Sequence, residues 1–196
     1  MLVDVIFEGI HYDKYKFNLK TNELISYRYP NKPRIVNPWM QKIKKKLTGT
    51  IYYRKVVDLT LNGKKNHIKL HRLVFQLNNP TMNIKGIEID HIDQNSLNND
   101  ISNLRLVTHS QNTANISKIS KTNGRHTTSQ YIGISYSKRD EIWESAIRVE
   151  KTRYRKKFKS EFEALKWRNN KIIELGIQEY YEIQPWIKKQ VIIKKK

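Results

Sequence analysis

The segment from residue 87 to residue 112 constrains the fold most, because two short apolar runs flank a long polar stretch. Ile87-Glu-Ile-Asp-His91 and Leu104-Arg-Leu-Val107 have the composition of short strands, and Asn and Asp dominate the residues between them. Thr108 and Gln111 form a capping box, which predicts a helix beginning at His109. We predict the order strand, long loop, strand, helix. The expected core residues are Ile87, Ile89, Leu104, Leu106 and Val107.

The charge balance indicates a polyanionic partner. Lys and Arg together number 38 against 18 Asp and Glu, a formal net charge of +20, whereas solubility in a small domain needs only about 2 to 8. Nucleic acid is therefore the leading candidate for this partner. The chain lacks an apolar run of the ~18 residues that a spanning helix needs and begins without a signal-peptide layout. We expect no membrane contact and a soluble, cytoplasmic protein, and the many Lys, Asn and Ile residues fit a phage or bacterial origin.

The absence of cysteine limits the kinds of metal site. Disulfide frameworks and thiolate zinc sites are both excluded, so any metal must be held by oxygen and imidazole. Asp90 and Asn112 offer oxygen ligands, which fit Mg²⁺ better than zinc, with Mn²⁺ as a substitute. His91 is then left to act as a base for phosphodiester hydrolysis. His109 and Asn112 share one face of the first helical turn, whose backbone N–H groups suit a phosphate.

The residues before this block are predicted to form a β-rich, DNA-contacting module over 1–68. Short strands are expected at YKFNL, at ELISYRY and from Thr50 to Leu70, with a hairpin at Asn62-Gly63. A Pro-broken basic stretch runs from Pro30 to Lys46, and its KIKKK run either tracks a phosphate backbone or is a solvated charge run. A short helix, HRLVFQL, is expected to end before Pro80.

The residues after the block change character at about Tyr131. A polar linker over 118–130 precedes three predicted short strands, and Ser160 with Glu163 forms a capping box that opens a helix ending at Gly176. On the second strand, Trp143 and Ile147 share one face and Arg148 lies on the other. Apolar residues of the helix are expected to cover the first face, namely Phe162, Leu165 and Ile172. The last segment, 181–196, is expected to be a frayed basic tail.

The block from Asp90 to Asn115 resembles the HNH endonucleases, in particular the phage and intron-encoded homing enzymes. The matching residues, in order, are Asp90-His91, Asp93, Asn95, Leu97-Asn98-Asn99, Asn103-Leu104, Val107-Thr108 and Asn112-Thr-Ala-Asn115. The resemblance implies an α+β chain with a ββα-metal (His-Me finger) core over 69–117. It also implies that His91 is the general base, that Asp90 and Asn112 bind the metal, and that Asn103 braces the loop and orients the His91 backbone.

Three residues in or beside the block are less well defined. Gln94 stands where the family often has Gly, so a left-handed turn there is expected to cost roughly 1 kcal/mol. His109 could contact the phosphate, bind metal or only occupy the first helical position. Arg72 resembles the segment that precedes the family's motif, and it could be a phosphate contact or a surface charge.

Residues 131–180 resemble the plant ethylene-response-factor (AP-two-type) DNA-binding domain, a three-stranded antiparallel sheet backed by one helix. The matching residues are Tyr131-Ile-Gly133, Trp143-Glu-Ser-Ala-Ile147-Arg148, Tyr154, Phe158-Lys-Ser160 and Glu163-Ala164. In that family the sheet lies in the major groove. The resemblance implies DNA contacts from Lys138, Arg139, Arg148, Arg153 and Tyr154. First-strand positions that are often basic in the family are here Ile132, Ser135 and Ser137, so base preference does not transfer.

These patterns favour a site-specific, homing-type DNA endonuclease that uses one divalent cation. A restriction-type nicking nuclease is the nearest alternative within the same class. A DNA-binding regulator that keeps a decayed nuclease block is the alternative from another class. The sequence leaves open whether the protein is a monomer or a homodimer.

Overall fold

The computed structural model describes residues 1–44, 49–114, 121–122 and 125–187. The chain divides into two compact units, 1–109 and 110–196. All sheets formed by the described strands are antiparallel, and few helices accompany them. This confirms the predicted α+β class. Among the described residues, no helix is long and apolar enough to cross a membrane.

Two sheets occupy most of the first unit. The first has four strands in sequential order, β1 (Leu2–Phe7), β2 (Ile10–Asn18), β3 (Glu23–Ser26) and β4 (Arg34–Ile35). The second has three, β5 (Trp39–Lys44), β6 (Ile51–Leu61) and β7 (Lys64–Lys69). The Asn62-Gly63 hairpin is confirmed, since φ is 49° at Asn62 and 76° at Gly63. Lys45 and Lys46 of the KIKKK run lie outside the described residues.

Three of these strands do not follow from the sequence pattern used above. β1 turns into β2 through Glu8-Gly9, where Glu8 has a φ of 49°, although Glu is not a residue that signals such a turn. β4 and β5 lie in the Pro-broken basic stretch. Proline is tolerated between strands and at sheet edges, and β4 is itself an edge strand.

The nuclease-like block consists of the remaining elements of the first unit and a short helix whose residues after His109 belong to the second unit. Helix α1 (Leu70–Asn78) follows β7 directly, as predicted for HRLVFQL, and ends before Pro80. Strands β8 (Glu88–His91) and β9 (Leu104–Val107) form a two-stranded sheet. A 3₁₀ turn, Ile101–Asn103, leads into β9, and helix α2 (His109–Ala114) begins at the predicted residue. The order strand, loop, strand, helix is therefore confirmed.

One hydrophobic core joins the N-terminal sheets to this block. Leu73 and Val74 of α1 are fully buried, and the same cluster contains Phe17, Leu59 and Ile89. The core thus runs across the predicted module boundary at residue 68. Ile89, Leu104 and Val107 are buried as predicted, and Leu106 packs against the cluster. Ile87 was predicted wrongly: it is 37% exposed, because it lies in the turn before β8 rather than on the strand.

The second unit has the predicted plan of three strands and a helix. Its strands are β12 (Ile134–Ser137), β13 (Ile142–Val149) and β14 (Thr152–Phe158), after a two-stranded ladder of β10 (Lys121–Thr122) and β11 (Arg125–His126). Helix α3 (Glu161–Glu174) is capped by Ser160, whose Oγ accepts from Glu163 N at 3.2 Å, and Gly176 follows it with a φ of 64°. The predicted cap and stop are both confirmed.

The core of this unit lies between α3 and one face of the sheet. Ile147, Leu165 and Ile172 are buried as predicted, and Trp143 packs at the edge of the core. Phe162 was predicted wrongly, since it is 47% exposed and its ring lies edge-on to Trp186. The helix turns Ala164 and Leu165 inward instead.

Part of the predicted C-terminal tail packs on this unit. The Arg168 guanidinium donates to the Glu182 carbonyl at 2.8 Å, and Asn169 Nδ2 donates to the Gln184 carbonyl at 2.7 Å. Residues 181–187 are therefore attached to α3 rather than frayed. Residues 188–196 lie outside the described residues, as do 115–120 and 123–124 of the predicted block end and linker.

Candidate active site

The β8–β9 hairpin places Asp90 and His91 at the end of a buried strand. Asp90 is paired with Arg105 across the ladder, and His91 is the last residue of β8. Asp90 is 9% exposed, and the Arg105 guanidinium donates to its Oδ2 at 3.1 and 3.3 Å. A buried carboxylate needs such a partner. Sequence patterns did not identify Arg105, although its position opposite Asp90 follows once the register is known.

The loop between β8 and β9 is held together by Asn103. Its Oδ1 accepts from Asp93 N at 3.0 Å, and its Nδ2 donates to Asp93 Oδ1 and to the Asn98 carbonyl, each at 2.9 Å. The Asn103 carbonyl also accepts from Ile92 N at 2.9 Å. Hydrogen bonds from Asn98, Asn95 and Asn103 hold the pKa of the exposed Asp93 carboxyl below its ordinary value. Asn103 therefore fixes the backbone that follows His91, as a brace would.

Gln94 adopts the left-handed conformation at the position where the resembling family often has Gly. Its φ is 61°, and its backbone N–H donates to the His91 carbonyl at 2.9 Å. The tight turn after His91 thus requires a conformation that a non-Gly residue adopts only at a cost.

The imidazole of His91 contacts two side chains of the first unit. Its Nε2 lies 3.0 Å from Asn99 Oδ1, and its ring lies edge-on to the His71 ring, with 5.1 Å between the centroids. His71 is in the first turn of α1. Burial, followed by the electrostatic influence of His91, Lys69, Arg72 and Arg54, lowers the pKa of His71 to about 3. His71 is therefore neutral at physiological pH, and neither it nor Asn99 was assigned a role from the sequence.

The surroundings of His71 are strongly positive. Burial, and then the charges of Arg54 and Arg72, lower the pKa of Lys69. The residues that influence His71 and Lys69 come from β6, β7 and α1, so several elements bring cations to the side of the site where His71 meets His91. Such a concentration of positive charge suits a phosphodiester backbone.

Arg72 has a structural role in the first unit. Its guanidinium donates to the carbonyls of Ile87 at 2.7 Å and Ile84 at 2.8 Å and to Glu8 Oε1 at 2.8 Å. The side chain is only 17% exposed. We therefore interpret Arg72 as a bridge between α1, the turn after β1 and the segment before β8, and its contact with DNA stays a prediction.

The helix that follows β9 carries the last two predicted site residues. His109 Nδ1 lies 2.8 Å from Glu88 Oε1, so it is paired to the first residue of β8, and its side chain is 83% exposed. Asn112 lies on α2, three residues further on. The roles of both residues remain predictions.

The second unit exposes the sheet face that turns away from α3. Register pairs Arg148 with Arg153 and Glu144 with Lys157, and alternation puts Arg155 on the same face. We call Arg148, Arg153, Arg155 and Lys157 the basic sheet face; all four are exposed. The period of two from Arg153 onward could have identified Arg155 and Lys157 from the sequence.

Tyr154 lies on the other side of the sheet. It pairs with the buried Ile147, and Lys171 Nζ of α3 lies 5.0 Å from its ring centroid. Because β14 alternates between its faces, Tyr154 does not belong to the basic sheet face, and its contact with DNA stays a prediction. Lys138 and Arg139 lie in the turn between β12 and β13, and Arg139 is 91% exposed with its Nε 3.1 Å from Asp140.

The donor set for a metal is small. Among the described residues, no group of three or more His, Cys, Asp or Glu could hold an ion. A cation at Asp90 would therefore depend on few protein ligands and would complete its shell with water or phosphate oxygens, which is how Mg²⁺ is commonly bound.

Comparison with known proteins finds a family match in the central segment. Residues 69–114 match the family model of HNH endonucleases. The chain is 36% identical over 83 residues to Protein 3.8 of Escherichia phage T7, a match that covers 42% of this chain and 64% of that protein. A solved structure of DNA binding and cleavage by the HNH homing endonuclease I-HmuI is similar with a TM-score of 0.39 and 25% identity, over 58% of this chain and 55% of that one. The chain thus spans less than two thirds of either relative.

Proposed function

We propose that the protein is a homing-type DNA endonuclease that hydrolyses phosphodiester bonds in double-stranded DNA with His91 as general base. The observation that carries the proposal is the position of Asp90 and His91 at the end of β8, inside the segment that matches the HNH endonucleases. A strand end is where two neighbouring side chains can serve one site, because the backbone turns there.

Each residue of the proposed site has a separate role in hydrolysis. His91 takes the proton from the attacking water, while Asn103 holds the loop that follows it. Asp90 and Asn112 would hold a single Mg²⁺, for which Mn²⁺ could substitute. When bound, the cation would supply positive charge to stabilise the departing oxyanion. The buried Asp90 carboxylate fits a hard cation, but its ion pair with Arg105 must be shared or exchanged for the cation to bind.

The positive charge around the site suits DNA. Arg54 and Lys69 would attract the phosphates next to the one that is cut, since both act electrostatically on His71 beside the base. In the second unit, the basic sheet face offers four cations on one side of a three-stranded sheet, a surface that could enter a major groove. Lys138 and Arg139 would contact phosphates from the adjacent turn. Membership of this unit in the AP-two-type family stays a prediction.

The first test replaces the base. His91→Ala is expected to retain DNA binding but to lose Mg²⁺-dependent cutting of plasmid DNA, because a general base typically contributes 10²–10⁴-fold. His11→Ala is the matched control, since His11 is exposed on β2, outside the matched segment. Binding is measured by titration of labelled DNA, and cutting by conversion of supercoiled to nicked or linear plasmid.

The outcomes separate the alternatives. Wild-type protein that binds DNA but cuts none with any divalent cation would favour a regulator with a decayed nuclease block. Sequencing the products from a random DNA library tests the homing type: cuts at one long site support it, and cuts at many unrelated sites favour a nicking nuclease.

A further inference from the structure

Asn99 is buried against the imidazole of His91 in the loop between β8 and β9. The distance from His91 Nε2 to Asn99 Oδ1 is 3.0 Å, and Asn99 is 8% exposed. The other end of the amide differs: within the part of the chain that the structure describes, the buried Nδ2 has no hydrogen-bond partner. A buried polar group without a partner needs an explanation.

The contact decides which nitrogen of His91 carries the proton. An amide oxygen can only accept a hydrogen bond, so with Oδ1 toward the ring the contact is a hydrogen bond in the tautomer that carries the proton on Nε2. In a neutral imidazole the basic lone pair is then on Nδ1. If the amide were rotated so that Nδ2 faced the ring, Nε2 would accept, Nδ1 would carry the proton, and Asn99 would occupy the basic nitrogen.

The orientation of the amide decides which ring nitrogen of His91 is basic. Turning Nδ2 toward His91 would put Oδ1 where Nδ2 now lacks a partner, so it would exchange one unpartnered buried group for another. The orientation in the structure keeps Nδ1 as the basic nitrogen. On another side of the ring, the neutral His71 lies edge-on and limits how the imidazole can tilt.

We propose that Asn99 is a positioning residue that holds His91 in the Nε2–H tautomer, so that Nδ1 takes the proton from the attacking water. The inference rests on the proposed role of His91 as general base. It assigns Asn99 a role distinct from that of Asn103, which contacts the loop backbone and Asp93 rather than the ring.

Two substitutions of Asn99 test whether its side chain must accept a hydrogen bond from His91 or donate one to it. Asn99→Leu removes the acceptor with little change in size and is expected to lower kcat by about 10²-fold, while KM for DNA is unchanged. Asn99→Asp keeps an acceptor oxygen toward Nε2–H and is expected to retain most of the activity. An Asn99→Asp variant as inactive as Asn99→Leu would overturn the proposal, because it would mean that Nδ2 is the group His91 needs.

The melting temperature Tm shows whether Asn99 positions His91 or only stabilises the fold. Asn99→Leu removes a buried donor that lacks a partner, so its Tm is expected to be equal to or above that of the wild type while kcat falls. The matched control is Asn78→Leu, at the end of α1 opposite to His71, where Nδ2 donates to the Val74 carbonyl at 2.8 Å; it is expected to lower Tm and leave kcat unchanged. If Asn99→Leu loses Tm and kcat in parallel, the role is structural and the proposal is wrong.

A third measurement is independent of cleavage. Two-bond ¹H–¹⁵N correlation spectra of the full chain at alkaline pH report which ring nitrogen of His91 is protonated. A protonated Nε2 in the wild type, with a mixture of tautomers in Asn99→Leu, supports the proposal, and a protonated Nδ1 in the wild type overturns it. Full cutting by His91→Ala would instead refute the proposed function and leave the tautomer result standing.

Discussion

Gln94 occupies the tight turn after His91 in a left-handed backbone conformation that lowers the free energy of unfolding. Its φ of 61° is costly for a side chain with a Cβ, by about 1 kcal/mol. Gln94→Gly should therefore raise the free energy of unfolding by about 0.5–1 kcal/mol, after the greater chain entropy of Gly in the unfolded state is subtracted. Chemical denaturation measures the change. Gln94→Ala is the control, because it keeps the backbone cost; an equal gain in both variants would assign the effect to the side chain instead.

At the scale of residues, the sequence was sufficient to predict positions in the site where a motif has fixed spacing. The order of residue types was enough to place Asp90 and His91 at the end of the first strand and Asn103 before the second, and the contacts of Asn103 agree with a brace. The contacts of Arg105 and His71 did not follow, since they depend on strand register and on packing between elements. The contact of Asn99 depends on how the loop folds back on His91. The carbonyl partners of Arg72 did not follow either, because its neighbours along the chain do not indicate a contact with Ile84 and Ile87.

At the scale of elements, Gly133 is the position on which the second sheet depends. It has a φ of 70°, its carbonyl accepts from Ala146 N at 2.8 Å, and a Cβ added there would collide with the Ala146 carbonyl oxygen. Because the obstacle is backbone in the neighbouring strand, Gly133→Ala must separate β12 from β13. We expect a loss of several kcal/mol, about the upper end of the range for point mutants.

A second glycine distinguishes the effect of the collision at Gly133 from the free-energy cost of a positive φ in a residue with a Cβ. Gly176 has a similar φ of 64°, but an added Cβ would meet nothing within 4 Å. Gly176→Ala should therefore cost only about 1 kcal/mol. Unfolding followed by tryptophan fluorescence suits the comparison, since Trp143, Trp167 and Trp186 all lie in the second unit. Equal losses in the two variants would contradict the role of the collision.

The elements that the sequence identified are those with local signals. Asn62-Gly63, the Ser160 cap and Gly176 each fix a boundary through chemistry within a few residues, and all three boundaries were predicted correctly. β1, β4 and β5 lack such signals and form through pairing with β2, β3 and β6, respectively. Phe162 was misplaced because helical spacing tells which residues share a face but not how far that face extends around the helix.

At the scale of the whole molecule, modules predicted as separate share one interior. The N-terminal sheets and the segment 69–114 contribute to the same hydrophobic cluster, with Phe17 and Leu59 from the sheets and Ile89 and Leu104 from the hairpin. A single core resists partial unfolding better than two small ones, since the fraction of surface that is buried rises with size. Strand β8, which ends in His91, is thus anchored to a larger body than the matched segment alone.

The net charge of +20 acts on DNA only through cations placed on the right surface, and strand β14 allows a direct test. Replacing Arg155 and Lys157 with Gln removes two charges from the basic sheet face and should weaken DNA binding across all sequences. The slope of log K against log salt should fall in magnitude by about 0.9 for each phosphate contact that is lost. Lys156→Gln is the matched control, because Lys156 lies on the opposite side of the same strand, with its Nζ 5.8 Å from the Phe158 ring centroid. Titrations of DNA binding at several salt concentrations measure both variants. If Lys156→Gln changes the slope of log K against log salt as much per charge as the double variant does, then net charge rather than the basic sheet face governs binding.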